Sequence, residues 1–148
     1  MAMRCTKEGQ VQLETELLSS GENWLLCLYK TAHTPSVLDV AATMTAIEST
    51  VSGYARKTLT RTISGATWQT VSSTGNTIDA VNLNAKAVYG ATAPIFNFSG
   101  TETEQGYFLL GATSGKLIFL ESFLAPFNVT NGSSITVPFQ LEVASDTH

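Results

Sequence analysis

The side chains that most often carry out chemistry are sparse in this sequence and are not grouped. The chain has two histidines, His33 in the run Thr-Ala-His-Thr-Pro and the terminal His148. No Cys, His or acid stands at a metal-ligand spacing from His33, and no Gly-x-Ser-x-Gly pattern supplies a nucleophile. Glycine-rich patterns that cradle phosphates are absent as well. We therefore predict no catalytic residue, no metal site and no cofactor, and interpret His33 as a loop residue.

Paired carboxylates are the remaining pattern that fits enzyme chemistry, because a glycosidase needs two acids flanking the scissile bond. Glu102 and Glu104 stand in a stretch that we predict to be a polar loop with solvated charges. Glu121 and Glu142 are predicted on outward faces of strands. The sequence leaves a catalytic pair of acids open as an alternative. We favour the interpretation that the protein is not an enzyme.

Four phenylalanines flank predicted loops and are the candidate subunit-interface residues: Phe96, Phe98, Phe123 and Phe127. The segment from Phe123 to Phe127 is unusually apolar for a connection, and apolar loop residues often anchor interfaces. Capping of the protein's own core is the role we favour for these phenylalanines, and a contact between subunits is the alternative. The aromatic residues inside strand-like runs are predicted core residues: Trp24, Trp68, Phe108, Phe119 and Phe139.

Composition and charge argue against several classes of partner. Charged residues make up only 14% of the chain, and 21 threonines and 14 serines occupy much of the polar surface instead. A net charge of −4 and scattered basic residues argue against nucleic acid as a partner, because binding it requires clustered Lys and Arg. No apolar run approaches the ~20 residues that span a bilayer, and the first residues lack a secretory-signal pattern. We expect synthesis in a cytoplasm and no membrane partner.

The two cysteines, Cys5 and Cys27, are too few for a disulfide framework. We predict two reduced thiols, with Cys27 a small core residue inside the apolar run from Trp24 to Tyr29. Whether the two cysteines pair stays open at the level of sequence.

The length of 148 residues predicts one domain over 1–148, with residues 1–20 forming an N-terminal arm or a short helix. Glu8–Ser20 fits either a strand or an amphipathic helix, and we favour the helix. A second helix is predicted over Ser36–Glu48, where Ser36 and Asp39 have the spacing of a capping box. Its apolar face comprises Val37, Val40, Ala41, Met44 and Ile47.

Short apolar runs separated by turn residues predict a mainly β fold. The predicted strands are Trp24–Tyr29 (buried on both faces), Thr58–Ile63, Trp68–Val71, Ile78–Tyr89 and Thr92–Phe98, with a loop at 72–76, and a hairpin of Tyr107–Gly111 and Lys116–Phe123 that turns at Ala112–Gly115. Strict alternation predicts a last strand from Ile135 to Val143, in which Pro138 favours a sheet edge. This spacing predicts a jelly-roll-like antiparallel β-sandwich with one or two short helices near the N-terminus.

Several segments, in the same order along the chain, resemble a family of small structural proteins of tailed bacteriophages. They are Trp24–Lys30, Thr34–Ser36, Glu48–Arg56, Thr58–Thr60, Trp68, Val88–Gly90, Gly106–Leu110, Gly115–Phe123 and Ser134–Pro138. The resemblance extends from about Leu17 to Leu141. Each motif is short and consists of residues common in β-sheets, so the resemblance implies a virion component more directly than a position in the virion.

The best specific interpretation of this resemblance is a capsid decoration, or cement, protein with a jelly-roll-like fold. It implies binding to the major capsid protein on the outer capsid surface, after synthesis in the cytoplasm of a host bacterium. It also implies a homo-oligomer, with a trimer favoured over a dimer. A tail, collar or fibre-associated virion module is the alternative within the same class. A carbohydrate-binding β-sandwich with exposed Trp or Tyr is the alternative from another class.

Overall fold

A computed structural model describes residues 13, 16–18, 21–61, 68–71, 85–89, 93–138 and 140–143. The chain divides into two compact units. The larger unit comprises Glu22–Thr60 and Pro94–Val137, and the smaller one comprises described residues within 1–21, 61–93 and 138–148. The fold is mainly β with antiparallel sheets, as the sequence predicts. The expectation of a single domain stays a prediction.

Within the described residues, nine strands and one helix have defined first and last residues. They are β1 (Trp24–Tyr29), α1 (Ala41–Ala46), β2 (Lys57–Leu59), β3 (Trp68–Val71), β4 (Ala85–Tyr89), β5 (Ile95–Asn97), β6 (Glu102–Gly111), β7 (Leu117–Val129), β8 (Ser134–Thr136) and β9 (Gln140–Val143). The larger unit contains a four-stranded sheet in the order β2-β1-β6-β7 and the two-stranded sheet β5-β8. The smaller unit contains the three-stranded sheet β3-β4-β9. The predicted loop at 72–76 and the first part of the predicted strand Ile78–Tyr89 lie outside the described residues.

The strand β1 lies at the centre of the larger unit, between β2 and β6. Five of its six residues are buried and Leu25 is half-buried, which confirms the prediction of a strand covered on both faces. A continuous apolar run suits this position because neither side of the strand meets water. One core cluster forms around it from Cys27, Tyr29, Met44, Phe108 and Leu110.

The hairpin of β6 and β7 is confirmed, and both strands are longer than the sequence predicts. Its turn is held by the Glu22 carboxylate, which accepts hydrogen bonds from the backbone N–H groups of Thr113 and Ser114. Because β6 begins at Glu102, the predicted polar loop there is wrong. Glu102 and Glu104 belong to a strand.

The helix predicted over Ser36–Glu48 is much shorter and begins at Ala41. Ser36 and Asp39 do interact, since the Ser36 N–H donates to Asp39 Oδ2 at 2.7 Å, which is half of a capping box. The Asp39 N–H also donates to the Ser36 carbonyl at 3.1 Å, so these contacts close a turn instead of starting a helix. Met44 is the buried residue of α1, whereas Val37 and Val40 of the predicted apolar face are exposed.

The continuous last strand predicted from Ile135 to Val143 is also wrong, because the chain leaves one sheet and joins another at Pro138. Before it, β8 pairs with β5, and Ile135 and Val137 are buried. After it, β9 pairs with β4 in the smaller unit. Proline has no N–H to donate to a ladder, so this position is a natural break. Phe139 lies outside the described residues.

The smaller unit also contains the helical residues Leu13 and 16–18. They support the helix favoured for Glu8–Ser20. Leu18 is buried, and the Arg61 guanidinium donates to the Leu17 carbonyl with an Nε–O distance of 2.8 Å. A positively charged donor at a helix carbonyl is favourable because it satisfies an acceptor that the helix itself leaves free.

Candidate functional site

The four candidate interface phenylalanines divide into a buried pair and an accessible pair. Phe96 and Phe98 are buried, and the Phe96 ring stacks on the ring of Tyr54 at 5.8 Å. They cap the core, which is the role that the sequence favours. Phe123 and Phe127 lie in β7, where their rings meet edge-to-face at 5.0 Å and Phe127 is 50% exposed. Only Phe123 and Phe127 therefore offer surface for a contact.

A bulge in β7 explains why this part of the strand faces outward. Glu104 pairs with Phe127 and Gly106 pairs with Ser122, so residues 123–126 of β7 stand opposite Gln105 alone. The extra residues must leave the ladder, because one residue of β6 cannot pair with all of them. Leu124 at the tip of this bulge is 107% exposed.

A second apolar surface surrounds a groove of about 400 Å³ between the loop before α1 and the first half of β7. Val37, Asp39 and residues 117–120 contribute to its walls. Val37, Ile118 and Phe119 line the groove with exposed apolar side chains, and Leu38 and Val40 are exposed on the same loop as Val37. We call these five residues the groove surface. Val37 is 101% and Leu38 84% exposed. A contiguous exposed apolar patch marks an interaction site more often than singly scattered residues do.

Most of the groove surface differs from what the sequence predicts. The sequence places Val37 and Val40 on the apolar face of a helix and Phe119 in the core. Phe119 does contact the core, because its ring meets that of Trp24 edge-to-face at 5.9 Å, yet it remains half-exposed. The available signal was the run Val-Leu-Asp-Val after Ser36, which places three apolar residues together without strand alternation.

The loop that carries three of the five groove-surface residues is held in place by a series of hydrogen bonds. His33 Nε2 donates to Asp39 Oδ2 at 2.9 Å, and this bond, with the one from the Ser36 N–H, lowers the pKa of Asp39. Ser122 Oγ on β7 donates to the His33 carbonyl at 3.2 Å. The Ser122 hydroxyl thus binds the backbone of His33, and the imidazole of His33 is hydrogen-bonded to Asp39. Asp39 is an acid partner of His33 that the sequence analysis did not identify.

A polar network joins the half-buried Glu48 and Tyr54 to the exposed Arg56, and the buried Cys27 lies near it. Arg56 binds the Glu48 carboxylate through two hydrogen bonds of 2.8 and 2.6 Å, and the Tyr54 hydroxyl donates to it at 2.7 Å. Cys27 is fully buried, as predicted, and burial raises the pKa of its thiol to about 12. A thiol in this state is a packing group and a poor nucleophile.

The two acids at the start of β6 converge on one hydroxyl. Ser49 Oγ lies 2.8 Å from Glu102 Oε2 and 2.6 Å from Glu104 Oε1. Glu104 is fully buried, and Lys30 Nζ lies 3.3 Å from Glu102 Oε1. The prediction that both acids are solvated charges is wrong. Alternation along β6 was the missed signal, because Glu104, Gly106 and Phe108 share one face.

The comparisons with known proteins give no relative for this chain. No family model, no curated protein and no solved structure matches it. Within the described residues, no three His, Cys, Asp or Glu side chains come together where they would hold a metal ion. In the same residues, no helix has the length and apolar character needed to cross a membrane. The described Trp and Tyr side chains, Trp24, Tyr29, Tyr54 and Tyr107, are buried or half-buried.

Proposed function

We propose that this chain is a structural virion protein of a tailed phage, a capsid decoration protein that binds the outer capsid surface and stabilises contacts between capsomers. The groove surface is the observation that carries the proposal. The resemblance of nine short segments to small phage structural proteins, and the antiparallel β structure, support it. The same proposal includes a jelly-roll arrangement of the strands. It also holds that the protein acts without catalysis, without a cofactor and without binding nucleic acid or a membrane.

The groove surface suits a protein partner for two reasons. Burial of apolar area contributes roughly 25 cal/mol per Å², so its fully exposed side chains gain most by being covered. The loop that carries Val37 and Leu38 is also held by the bonds from His33 and Ser36 to Asp39. A surface that is already ordered loses little conformational entropy on binding, which leaves more of the contact energy for affinity.

A closed homo-oligomer, with a trimer favoured, fits the same role. A capsid lattice offers threefold and twofold positions, and a symmetric oligomer seated on one repeats each contact by symmetry. Once one subunit is bound, the others bind at high effective concentration, so each needs only a modest patch. The exposed Leu124 and Phe127, together with the half-buried Phe123, provide a second surface for contacts between subunits.

The test is addition of the purified chain to phage particles that lack it, followed by the temperature at which the particles release DNA. Wild-type protein should raise that temperature, and Leu38→Asp should weaken particle binding roughly tenfold or more, as loss of an interface anchor does. Thr130→Asp adds the same charge at an exposed turn and should bind like wild type. Particles whose heat stability is unchanged by the protein, or location of the protein on tails alone, would refute the decoration role.

Leu38→Asp and a further variant, Leu124→Asp, separate the roles of the two surfaces in the free protein. Light scattering after size exclusion should give a trimer for wild type. Leu124→Asp should reduce the trimer to a monomer, while Leu38→Asp should leave it intact. The opposite pattern would assign the groove surface to self-association and contradict its role in capsid binding.

A further inference from the structure

The contacts of Ser49 require one more proton than the ionised side chains supply. Its hydroxyl has a single hydrogen, and it lies within hydrogen-bond distance of both Glu102 Oε2, at 2.8 Å, and Glu104 Oε1, at 2.6 Å. Ionised carboxylates only accept hydrogen bonds. If both acids were charged, Ser49 could donate to one of them and would present lone pairs to the other. One of the two carboxyl groups must therefore donate.

The surroundings of the two acids decide which one is protonated. Glu102 Oε2 also accepts from the N–H groups of Thr50 and Val51, at 3.1 and 3.2 Å, and Glu102 Oε1 lies 3.3 Å from Lys30 Nζ. These donors stabilise a charged carboxylate. Glu104 is fully buried, and its Oε2 atom has no hydrogen-bond partner among the described residues. A buried, unpaired charge there would be costly, so the proton belongs to Glu104.

We propose that the folded chain holds Glu104 as a neutral carboxylic acid, which donates through Oε1 to Ser49 while Ser49 donates to ionised Glu102, and that loss of this proton at higher pH weakens the fold. These hydrogen bonds couple the start of β6 to the segment between α1 and β2, which contains Ser49. They act independently of what the groove surface binds.

The charged groups that act on Glu104 come from two elements. Glu102 lies on β6 itself and Lys30 follows β1, whereas β7 presents the uncharged Phe127 opposite Glu104. Burial raises the pKa of Glu104, and although the Ser49 hydrogen bond lowers it, the nearby Glu102 raises it further. Burial also opposes ionisation of Glu102, but hydrogen bonds from Ser49 and Thr50 and the Lys30 ammonium lower the pKa of Glu102. The pKa values of the two carboxyl groups are therefore shifted in opposite directions, as expected for acids that share a proton.

The sign of the pH dependence follows from the raised value. A group that binds its proton more tightly in the folded chain contributes full stability below its unfolded pKa, about 4.3 for glutamic acid. That contribution is lost as the pH rises through the folded pKa of Glu104. Below the unfolded value the opposite behaviour of Glu102 takes over, because its lowered pKa makes stability fall as the pH falls.

Urea unfolding of the full chain between pH 5 and pH 8 tests this inference. Glu104→Gln keeps the shape of the side chain, cannot ionise and can donate to Ser49. It should therefore remove this site's part of the pH dependence of the unfolding free energy, which corresponds to at most one proton per chain. Glu121→Gln, which neutralises an exposed acid of β7, should retain the wild-type dependence. Equal pH dependence in wild type and Glu104→Gln would overturn the proposal.

A direct measurement covers the case in which Glu104→Gln fails to fold. Carbon-13 NMR of the glutamate side-chain carboxyls in the wild-type chain should show one resonance that titrates above the ordinary range. Ser49→Ala should change that resonance and the resonance of Glu102, since it removes the hydroxyl between them. Titration of every glutamate in or below the ordinary range would refute a neutral Glu104, whatever the capsid experiments give.

Discussion

Tyr29 and Ser122 are hydrogen-bonded across the backbone of an intervening strand, with their hydroxyl oxygens 2.7 Å apart. Tyr29 pairs with Gly106, and Gly106 pairs with Ser122, so the three residues lie in register on β1, β6 and β7. The ring of Tyr29 reaches Ser122 because Gly106 has no side chain in its path. Ser122 then donates to the His33 carbonyl, and the core of the sheet is thereby linked to the loop of the groove surface.

Gly106→Ala should destabilise the protein by roughly 1–3 kcal/mol, the usual effect of overpacking a filled core. A Cβ atom at this position would lie 2.5 Å from the Tyr29 hydroxyl oxygen, and the nearby Glu121 carbonyl belongs to the backbone and cannot turn aside. Urea unfolding measures the loss. Gln105→Ala, on the neighbouring half-buried residue, should cost much less, and similar losses for the two variants would contradict the role of Gly106.

The hydrogen bonds that order the loop at residues 36–39 of the groove surface should weaken at acidic pH. The hydrogen bonds from His33 and Ser36 lower the pKa of Asp39, so the stability they provide is present above the ordinary aspartate value, about 3.9, and is lost as the pH falls through the lower folded value. Amide hydrogen exchange of residues 36–39 should therefore accelerate beyond its intrinsic pH dependence. Asp39→Asn should show weaker protection already at neutral pH. Unchanged protection of the Ser36 amide in that variant would contradict this description of the loop.

Cys27 should resist alkylation in the folded protein. The pKa of the Cys27 thiol is raised to about 12, whereas that of a free cysteine is about 8.5. At pH 8 the thiolate fraction of Cys27 is therefore lower than that of a free cysteine by a factor on the order of 1,000. Iodoacetamide labelling followed by mass spectrometry of the peptide that contains Cys27 measures the rate. Labelling in urea is the control and should be fast. Equal rates in the two conditions would show that the thiol is accessible.

The two faces of β8 should respond differently to truncation. Ile135 is buried and Thr136 is exposed, so Ile135→Ala should cost roughly 2–5 kcal/mol and Thr136→Ala less than about 0.5 kcal/mol. The comparison uses the midpoint of urea unfolding at one pH. Equal effects of the two substitutions would contradict the observed orientation of the strand.

The sequence by itself determined the elements whose pattern is local and complete. The run Trp24–Tyr29 is apolar at every position, so its two-sided burial follows from hydrophobicity alone. The bounds of β3, Trp68–Val71, and the turn of the β6–β7 hairpin are also as predicted, because β-branched, aromatic and turn residues mark them directly.

Two other local patterns are present in the sequence but form elements different from those predicted. The Ser36–Asp39 spacing suits both a capping box and a turn, and the hydrogen bonds available to the two are nearly the same. The alternation from Ile135 to Val143 is real, but periodicity does not reveal which partner each half pairs with. Pro138, without an N–H, allows the chain to change sheets there.

The candidate sites depend on contacts between residues far apart in the chain, which only the tertiary structure decided. Val37 and Ile118 line the same groove, and Ser49 is hydrogen-bonded to Glu104, 55 residues away in the chain. Whether an acid is solvated or protonated depends on the donors, charges and burial that folding gathers around it. Composition and spacing specify none of these, because the free energy of a charge is set by its surroundings in space.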